Sequence, residues 1–593
     1  MNKLCRRGLS SLLAFVLLLG ALLLPAQAVA QPDYEVDERP VIIIHGIGQS
    51  EVFLCDENGV PVVDADGGKT QGWPPEIEVA PVLQSVLLPL LGSLFLQRDM
   101  GLTDALKKTV NEIFDLFKMD ENGMPLKNMQ VHRFEGSVAE CTQEEKDFIY
   151  ASMPVQELAE LVGEEKLYYF AYDSFGNNAA ITQELYEKIQ EVKEKHDVDS
   201  VNLIPVSLGG TLMNSLLEDY PEVAEDLHSI VYVIAALDGS RIVGDMYTRN
   251  LSTDNESLYL KMFPALTPGY MGDLLNIAIR LLPKSLVKGI LDALIDSLVG
   301  DVISYSTTMW SLVPSGDYEK ARALWLMDGK HDKIRAQTDQ YWEAQKNSRA
   351  NILALREAGV QVYAIAEYDV PLYSIAGSYD EVNADGIIHL DSASLGATSG
   401  YVGTKLPEGY VQKVDDGHDH ISPDGIVDAS TGALPEQTFY FKGQKHESTA
   451  KSDVVMRLAV RLATSSEYET VYSMEGWPQF NNGRETRVLR TEWIPQAKKI
   501  DQSALSEEDA AELQAAIEAA EAVLAKTVVV PGELEAAQGR LEAILIKLGV
   551  REAAGEDLTA KVLDPLFAFI SDVLYYGFGA RGFFDCYSAI WKK

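Results

Sequence analysis

Cysteine is scarce: four occur in 593 residues. Cys5 falls in a leader-like N-terminus, so the odd set Cys55, Cys141 and Cys586 permits one disulfide and leaves one thiol over. A disulfide framework is thereby excluded, and a chain this long can bury a core without covalent staples. Basic residues are few as well, with 50 Lys and Arg against 89 Asp and Glu and a formal net charge of −39. Such a balance repels polyanions and argues against nucleic acid as a partner. Past residue 30 no stretch reaches the ~18 unbroken apolar residues that a membrane span needs.

What the N-terminus does contain is Lys3, Arg6 and Arg7, an apolar run over 9–24, and the small residues of 26-AQAVAQ-31. That order is expected of a secretory signal peptide over 1–30, cut after Ala28 or Ala30, with a retained membrane anchor as the alternative. The chain is therefore expected to be secreted or to stand at the extracellular surface.

Downstream, 39-RPVIIIHGIGQS-50, 166-KLYYFAYDSF-175, 200-SVNLIPV-206, 229-SIVYVIAALD-238 and 360-VQVYAIAEYDVPL-372 contain continuous apolar runs. Strands buried on both faces of a parallel sheet have this composition. Helical patterns at 178–196, 208–219 and 338–358 separate them, which predicts an α/β fold with a doubly wound, mostly parallel sheet. Two inserts interrupt the alternation, at about 50–160 and about 240–340, the second an inserted helical cap.

In the cap insert, 283-PKSLVKGILDALIDSLVG-300 places Leu286, Val287, Ile290, Leu291, Leu294, Ile295 and Leu298 on one face, with Lys284, Lys288, Asp292 and Asp296 opposite. It reads as a cap helix packed on the core, or as a lid making lipid-interface contact through residues 283–300. The first insert carries 82-VLQSVLLPLLGSLFL-96, too short to span a bilayer and suited to lining a pocket, and DENG at 56–59 and 120–123, read as hairpin turns.

A catalytic domain is expected over 31–470. A linker and helical pair over 471–550 follow, with 480-FNNGR-484 as a turn, Ser506 and Asp509 as a helix cap, and apolar stripes through Leu513, Ile517 and Ala520 and through Leu534, Leu541 and Ile544. The small C-terminal helical region resembles modules appended to secreted Gram-positive surface proteins. Residues 551–593 are strongly aromatic, which suits docking onto the catalytic domain or onto a cell-envelope partner.

In 201-VNLIPVSLGGTLMNSLLEDYPE-222, Ser207 stands between an apolar strand and a helical pattern, and Gly209 and Gly210 follow. A nucleophile elbow needs small neighbours there so that strand and helix can approach. Pro205 occupies the position of the elbow's first glycine, and the competing reading is a serine that merely caps a helix. A hydroxyl nucleophile needs a base and oxyanion donors. The backbone N–H of Leu208 and of Ile47, in the loop after the first strand, are the candidates for the oxyanion hole, with His45 bracing that loop. Of nine histidines, His228, His331, His389, His418, His420 and His446 follow the serine. His446 lies in a loop before a terminal helix and suits the base; His418 and His420 compete, or form an HxH metal pair. For the acid, Asp385 in 383-NADGIIHLDSASLGA-397 competes with Asp424 in 422-SPDGIVDAS-430.

The spaced set HGIG, PVSLGG, ADGII with SASLGA, and GQKH resembles the secreted bacterial lipases and esterases of the α/β-hydrolase superfamily. The stretch 307-TTMWSLVPSGDYEKA-321 is similar to a segment of lecithin:cholesterol acyltransferase-like proteins. The resemblance implies Asp385 as the acid, a triad of Ser207, Asp385 and His446, no metal or organic cofactor, and a hydrophobic ester or lipid substrate. An acyltransferase or thioesterase with the same triad, or a surface-binding protein on a hydrolase scaffold, are the other readings.

Overall fold

Alternating apolar runs and helical patterns become a single wound sheet in the computed structural model, which describes residues 34–63, 68–73, 79–262, 276–449, 452–474, 476–481, 489–526 and 532–551. The signal peptide expected over 1–30 lies outside the described residues, as does all but the first residue of the aromatic segment 551–593. Seven strands form the sheet: β1 (Val41–Ile44), β2 (Leu167–Phe170), β3 (Val201–Pro205), β4 (Leu227–Val233), β5 (Gln361–Tyr368), β6 (Thr438–Lys442) and β7 (Phe480–Asn481). Their order is β7-β6-β5-β4-β3-β1-β2, with each neighbouring pair parallel. The strand order reverses between β1 and β3, and an open α/β sheet binds its ligand beyond the strand C-termini at such a point.

Successive side chains of a strand point to opposite faces, so the continuous apolar runs feed two cores. Ile42, Ile44, Leu203, Tyr232 and Ala364 pack on one face, beneath helices α1 (Asn178–His196), α2 (Gly209–Asp219) and α3 (Asp332–Glu357). Val41, Ile43, Ile204, Val231 and Phe439 pack on the other, against helix α4 (Asp453–Thr464). The β1 side chains are wholly buried, and each contributes roughly 1.5–3 kcal/mol relative to exposure.

The sheet extends past the expected domain boundary near 470. Val471, Met474 and Trp477 are buried in the second core, and Phe480–Asn481, read from the sequence as part of a turn, pairs with Tyr440–Phe441 as the edge strand. A two-residue strand is too short to leave a periodic signature. Beyond it, Glu507–Leu524 and Glu533–Lys547 pair as expected, burying Leu513, Ile517, Leu541 and Ile544, and Leu489, Ile494 and Ala497 complete that separate core. Ser506 Oγ accepts the Asp509 N–H at 3.1 Å, as a capping residue should.

The two inserts meet in one cap. Helix Leu102–Ile113 of the first packs with Lys284–Ile295 of the second around Leu102, Tyr259, Leu282, Val287 and Ile290. The face of residues 283–300 expected to contact lipid is thus occupied within the cap and against the main core, where Leu298 and Ile295 pack. Five large apolar side chains are open to solvent on the helix Val79–Leu96: Leu87, Leu88, Leu91, Phe95 and Leu96. Both DENG stretches are turns: Asp56 Oδ1 accepts the N–H of Asn58 and Val60, and Asp120 Oδ1 those of Asn122 and Met124. Cys55 and Cys141 are both free thiols, and Cys586 lies outside the described residues.

Candidate active site

Ser207 sits between β3 and α2 with φ 51, a left-handed conformation uncommon for a residue with a Cβ. Neighbouring contacts hold it there. Its N–H donates to Val233 O at 3.0 Å, while its carbonyl accepts the Ala236 and Gly210 N–H at 2.9 and 3.0 Å. The turn is tight enough that a Cβ on Gly209 would stand 2.7 Å from Ile44 O, and one on Gly210 would stand 2.7 Å from Ala235 Cβ and 3.0 Å from Ala236 N. Both glycines are therefore required by close approach. Gly210→Val is expected to cost about 3 kcal/mol or more through overpacking against backbone, read as a lower denaturant midpoint with an unchanged slope.

Pro205 fits for a reason the linear pattern does not display. Asn202 and Val206 donate to Pro40 and Ile44 on the β1 side, both at 2.9 Å, whereas Ser207 donates to the β4 side. Alternate amides point to opposite neighbours, so the donor missing at Pro205 belongs to the β4 side alone, and the Val206–Val233 bridge resumes that ladder directly afterwards. The capping alternative fails on geometry: Leu208 is the N-cap of α2, with no side-chain cap bond, and Ser207 Oγ points elsewhere.

It points to histidine. Ser207 Oγ lies 3.0 Å from His446 Nε2, and His446 Nδ1 lies 2.7 Å from Asp385 Oδ2. His446 opens a single helical turn after β6, and its own N–H donates to Asp385 O at 2.9 Å, tying the two loops together. Asp385, 1% exposed, uses Oδ1 to accept the N–H of Ile387 and Ile388 at 2.8 and 2.7 Å. The Asp-Gly-Ile-Ile sequence thus folds over its own carboxylate and aims the other oxygen at the imidazole. Burial alone would depress the His446 pKa; the adjoining Asp385 carboxylate outweighs it, through charge and hydrogen bond, and holds it above the ordinary histidine value. Ser207 is 6% exposed and the His446 side chain 10%.

The other candidates are engaged elsewhere. Asp424 binds Lys442 Nζ at 2.8 Å, Ser422 Oγ at 2.6 Å and the Tyr368 hydroxyl at 3.2 Å. His418 stacks on Tyr472, and His420 pairs with Asp416 at 3.0 Å. No group of three or more His, Cys, Asp or Glu able to hold a metal occurs among the described residues. His228 contacts Asp37, His331 contacts Asp328, and His389 is buried near Asp391.

The loop after β1 is braced from several sides. His45 Nδ1 donates to Gly46 O at 2.6 Å and its Nε2 accepts the Tyr172 N–H at 3.3 Å, while its ring stacks on Tyr172 with centroids 4.1 Å apart. Burial pushes its pKa down to about 4, so it serves as a neutral brace. Gln49 accepts the Gly46 N–H and donates to Ser152 O, both at 2.8 Å, and Ser174 Oγ accepts the Gly48 N–H at 3.1 Å. The backbone N–H of Ile47 and that of Leu208 make no hydrogen bond to another described residue. Sequence reading missed Gln49 and Ser174, whose roles depend on segments far apart in the chain. It also missed Glu367, although an acid inside the apolar run of β5 was a visible signal.

No model of a protein family matches this chain, and a search of curated proteins likewise finds no match.

Proposed function

We propose that this protein is a serine hydrolase that cleaves carboxylic esters of lipids or other hydrophobic acyl compounds through an acyl-enzyme on Ser207. The observation that carries the reading is the continuous hydrogen-bonded path from Ser207 Oγ through His446 to the buried Asp385, mounted on a strained strand-to-helix turn. His446 takes the hydroxyl proton as Oγ attacks the acyl carbon, then returns it to the leaving alcohol; Asp385 fixes the tautomer and stabilises the imidazolium. Water repeats the cycle on the acyl-enzyme. The N–H groups of Ile47 and Leu208, unpartnered among the described residues, are the donors for the tetrahedral oxyanion, each worth on the order of 3 kcal/mol. The reading draws on no cofactor.

Hydrolysis of p-nitrophenyl esters from acetate to palmitate, with peptide mapping after a fluorophosphonate probe, tests it. The expected result is turnover that rises with acyl length and a phosphonyl adduct on Ser207. A protein that turns over no ester and takes no label refutes the hydrolase reading. An acyltransferase would differ only in the acceptor, which product identification with added alcohol reveals.

A lipid substrate is supported by the cap. Its helix Val79–Leu96 has no charged side chain and turns five large apolar ones outward, in a protein whose net charge is −39. A zwitterionic lipid surface suits that face, since an anionic one would be repelled by the rest of the molecule. Leu88→Ser combined with Phe95→Ser is expected to weaken co-sedimentation with phosphatidylcholine vesicles about tenfold or more. Hydrolysis of a soluble short-chain ester should be unaffected; equal sedimentation of the variant would remove this helix from lipid contact.

A further inference from the structure

The penultimate residue of strand β5 is one that neither the apolar pattern nor the proton path accounts for. Glu367, 1% exposed, stands in register with Phe441 of β6, between the strands that lead to Asp385 and to His446. Its Oε1 accepts the Thr449 hydroxyl at 2.5 Å. Thr449 is fully buried and closes the helical turn His446–Thr449, so this bond anchors the far end of the segment that presents the imidazole. Glu367 Oε2 has no hydrogen-bond partner among the described residues.

The electrostatic surroundings are one-sided. The ionisable groups acting on Glu367 are Asp385 and Glu447, both acids, and no Lys, Arg or His pairs with it among the described residues. An ionised carboxylate there would be a buried charge without a counter-charge, beside a second carboxylate that His446 already compensates. Proteins resolve that conflict by protonating one of the two. Burial, reinforced by Asp385, raises the Glu367 pKa well above the carboxyl range, and the Thr449 bond offsets only part of this. Asp385, by contrast, has two backbone donors and the imidazole on its oxygens. Two carboxyl groups whose environments diverge in this way take different roles.

We propose that Glu367 is a positioning residue, carried as the neutral acid, that clamps the His446 turn through Thr449 and adds no further negative charge beside the Asp385–His446 pair. A second negative charge at Glu367 would strengthen proton binding by His446 and hold it as imidazolium, unable to accept the Ser207 proton. The catalytic consequence rests on the ester-hydrolase reading; the protonation and the clamp do not.

The test uses the full chain and the variants Glu367→Gln, Thr449→Val and Glu367→Leu, with folding followed by circular dichroism. Infrared spectra at neutral pH report a protonated carboxyl stretch, the titration of His446 is followed by NMR of labelled histidine, and kcat and KM for p-nitrophenyl butyrate are measured against pH. The expected result is a wild-type carboxyl band that Glu367→Gln removes, with the His446 midpoint and the acid limb of kcat unmoved, because glutamine replaces one neutral group by another. Thr449→Val should lower kcat about tenfold at constant KM by loosening the turn, while Glu367→Gln restores near-wild-type kcat relative to Glu367→Leu. A His446 midpoint that falls by about one unit in Glu367→Gln would overturn the proposal, since removal of a negative charge lowers proton affinity. Unchanged kcat in Thr449→Val would overturn the clamp. Absence of ester turnover in the wild type would instead refute the hydrolase reading, and the infrared and NMR measurements would still decide the state of Glu367.

Discussion

Ser207→Ala is expected to lower ester turnover by on the order of 10⁴- to 10⁶-fold, with the fold and its stability nearly unchanged. The substitution keeps the Cβ, so it asks nothing new of the backbone at φ 51. It removes only an oxygen whose partner is His446 Nε2 at 3.0 Å, and it strips no helix N–H of a cap. A capping serine would behave in the opposite way, losing on the order of 1 kcal/mol of stability and no activity. Steady-state rates with p-nitrophenyl butyrate and a denaturation curve on the same preparation separate the two. Full activity in Ser207→Ala would assign the chemistry to another nucleophile and reduce the elbow to a structural turn.

Asp385→Asn should cost about 10⁴-fold in kcat, because the amide cannot serve as the charged acceptor for the His446 Nδ1–H and permits the wrong tautomer. Asp424→Asn, which breaks a partly exposed contact to Lys442, should stay within a few-fold of wild type. The pH dependence gives a second readout. His446 must be neutral to accept a proton, and its pKa lies above the ordinary value, so activity is lost as pH falls through a midpoint above 6.5. Removing the Asp385 carboxylate leaves burial, the largest influence on His446 and one that depresses its pKa, against the smaller opposing charge of Glu447, so the residual activity of Asp385→Asn should extend to lower pH than that of the wild type. An acid limb unmoved by this change would mean that the limb belongs to another group.

The largest apolar periodicities are legible in the sequence. Five buried strands, the helices between them and the paired helices near residues 507–547 announced themselves because burial on both faces, or on one helical stripe, dictates composition over many residues. The tight strand-to-helix turn was legible too, since Gly209 and Gly210 satisfy a steric demand that leaves few alternatives. Edge strand β7 was not, for two residues carry no period, and it shows that the sheet runs past 470. The orientation of the cap was also hidden. Residues 283–300 and 82–96 both read as apolar helices, and only their mutual packing determines which one buries its face and which one keeps Leu88 and Phe95 in solvent.

The choice of acid marks the same division. Asp385 and Asp424 have near-identical local sequence, Asp-Gly followed by two branched residues, and both fold back on a following N–H. What separates them is the neighbour each meets, His446 for one and Lys442 for the other. Pro205 likewise looked anomalous until the parity of β3 amides placed its missing donor toward a single strand. The sequence by itself determined the α/β class, the serine at the strand end and the short list of acids and bases, because local sterics and burial act on neighbours in the chain. Tertiary structure decided the partners: Ser207, His446, Asp385 and Glu367 are separated by up to 239 residues between serine and histidine alone, and only the order in which the strands join the sheet brings them to one edge.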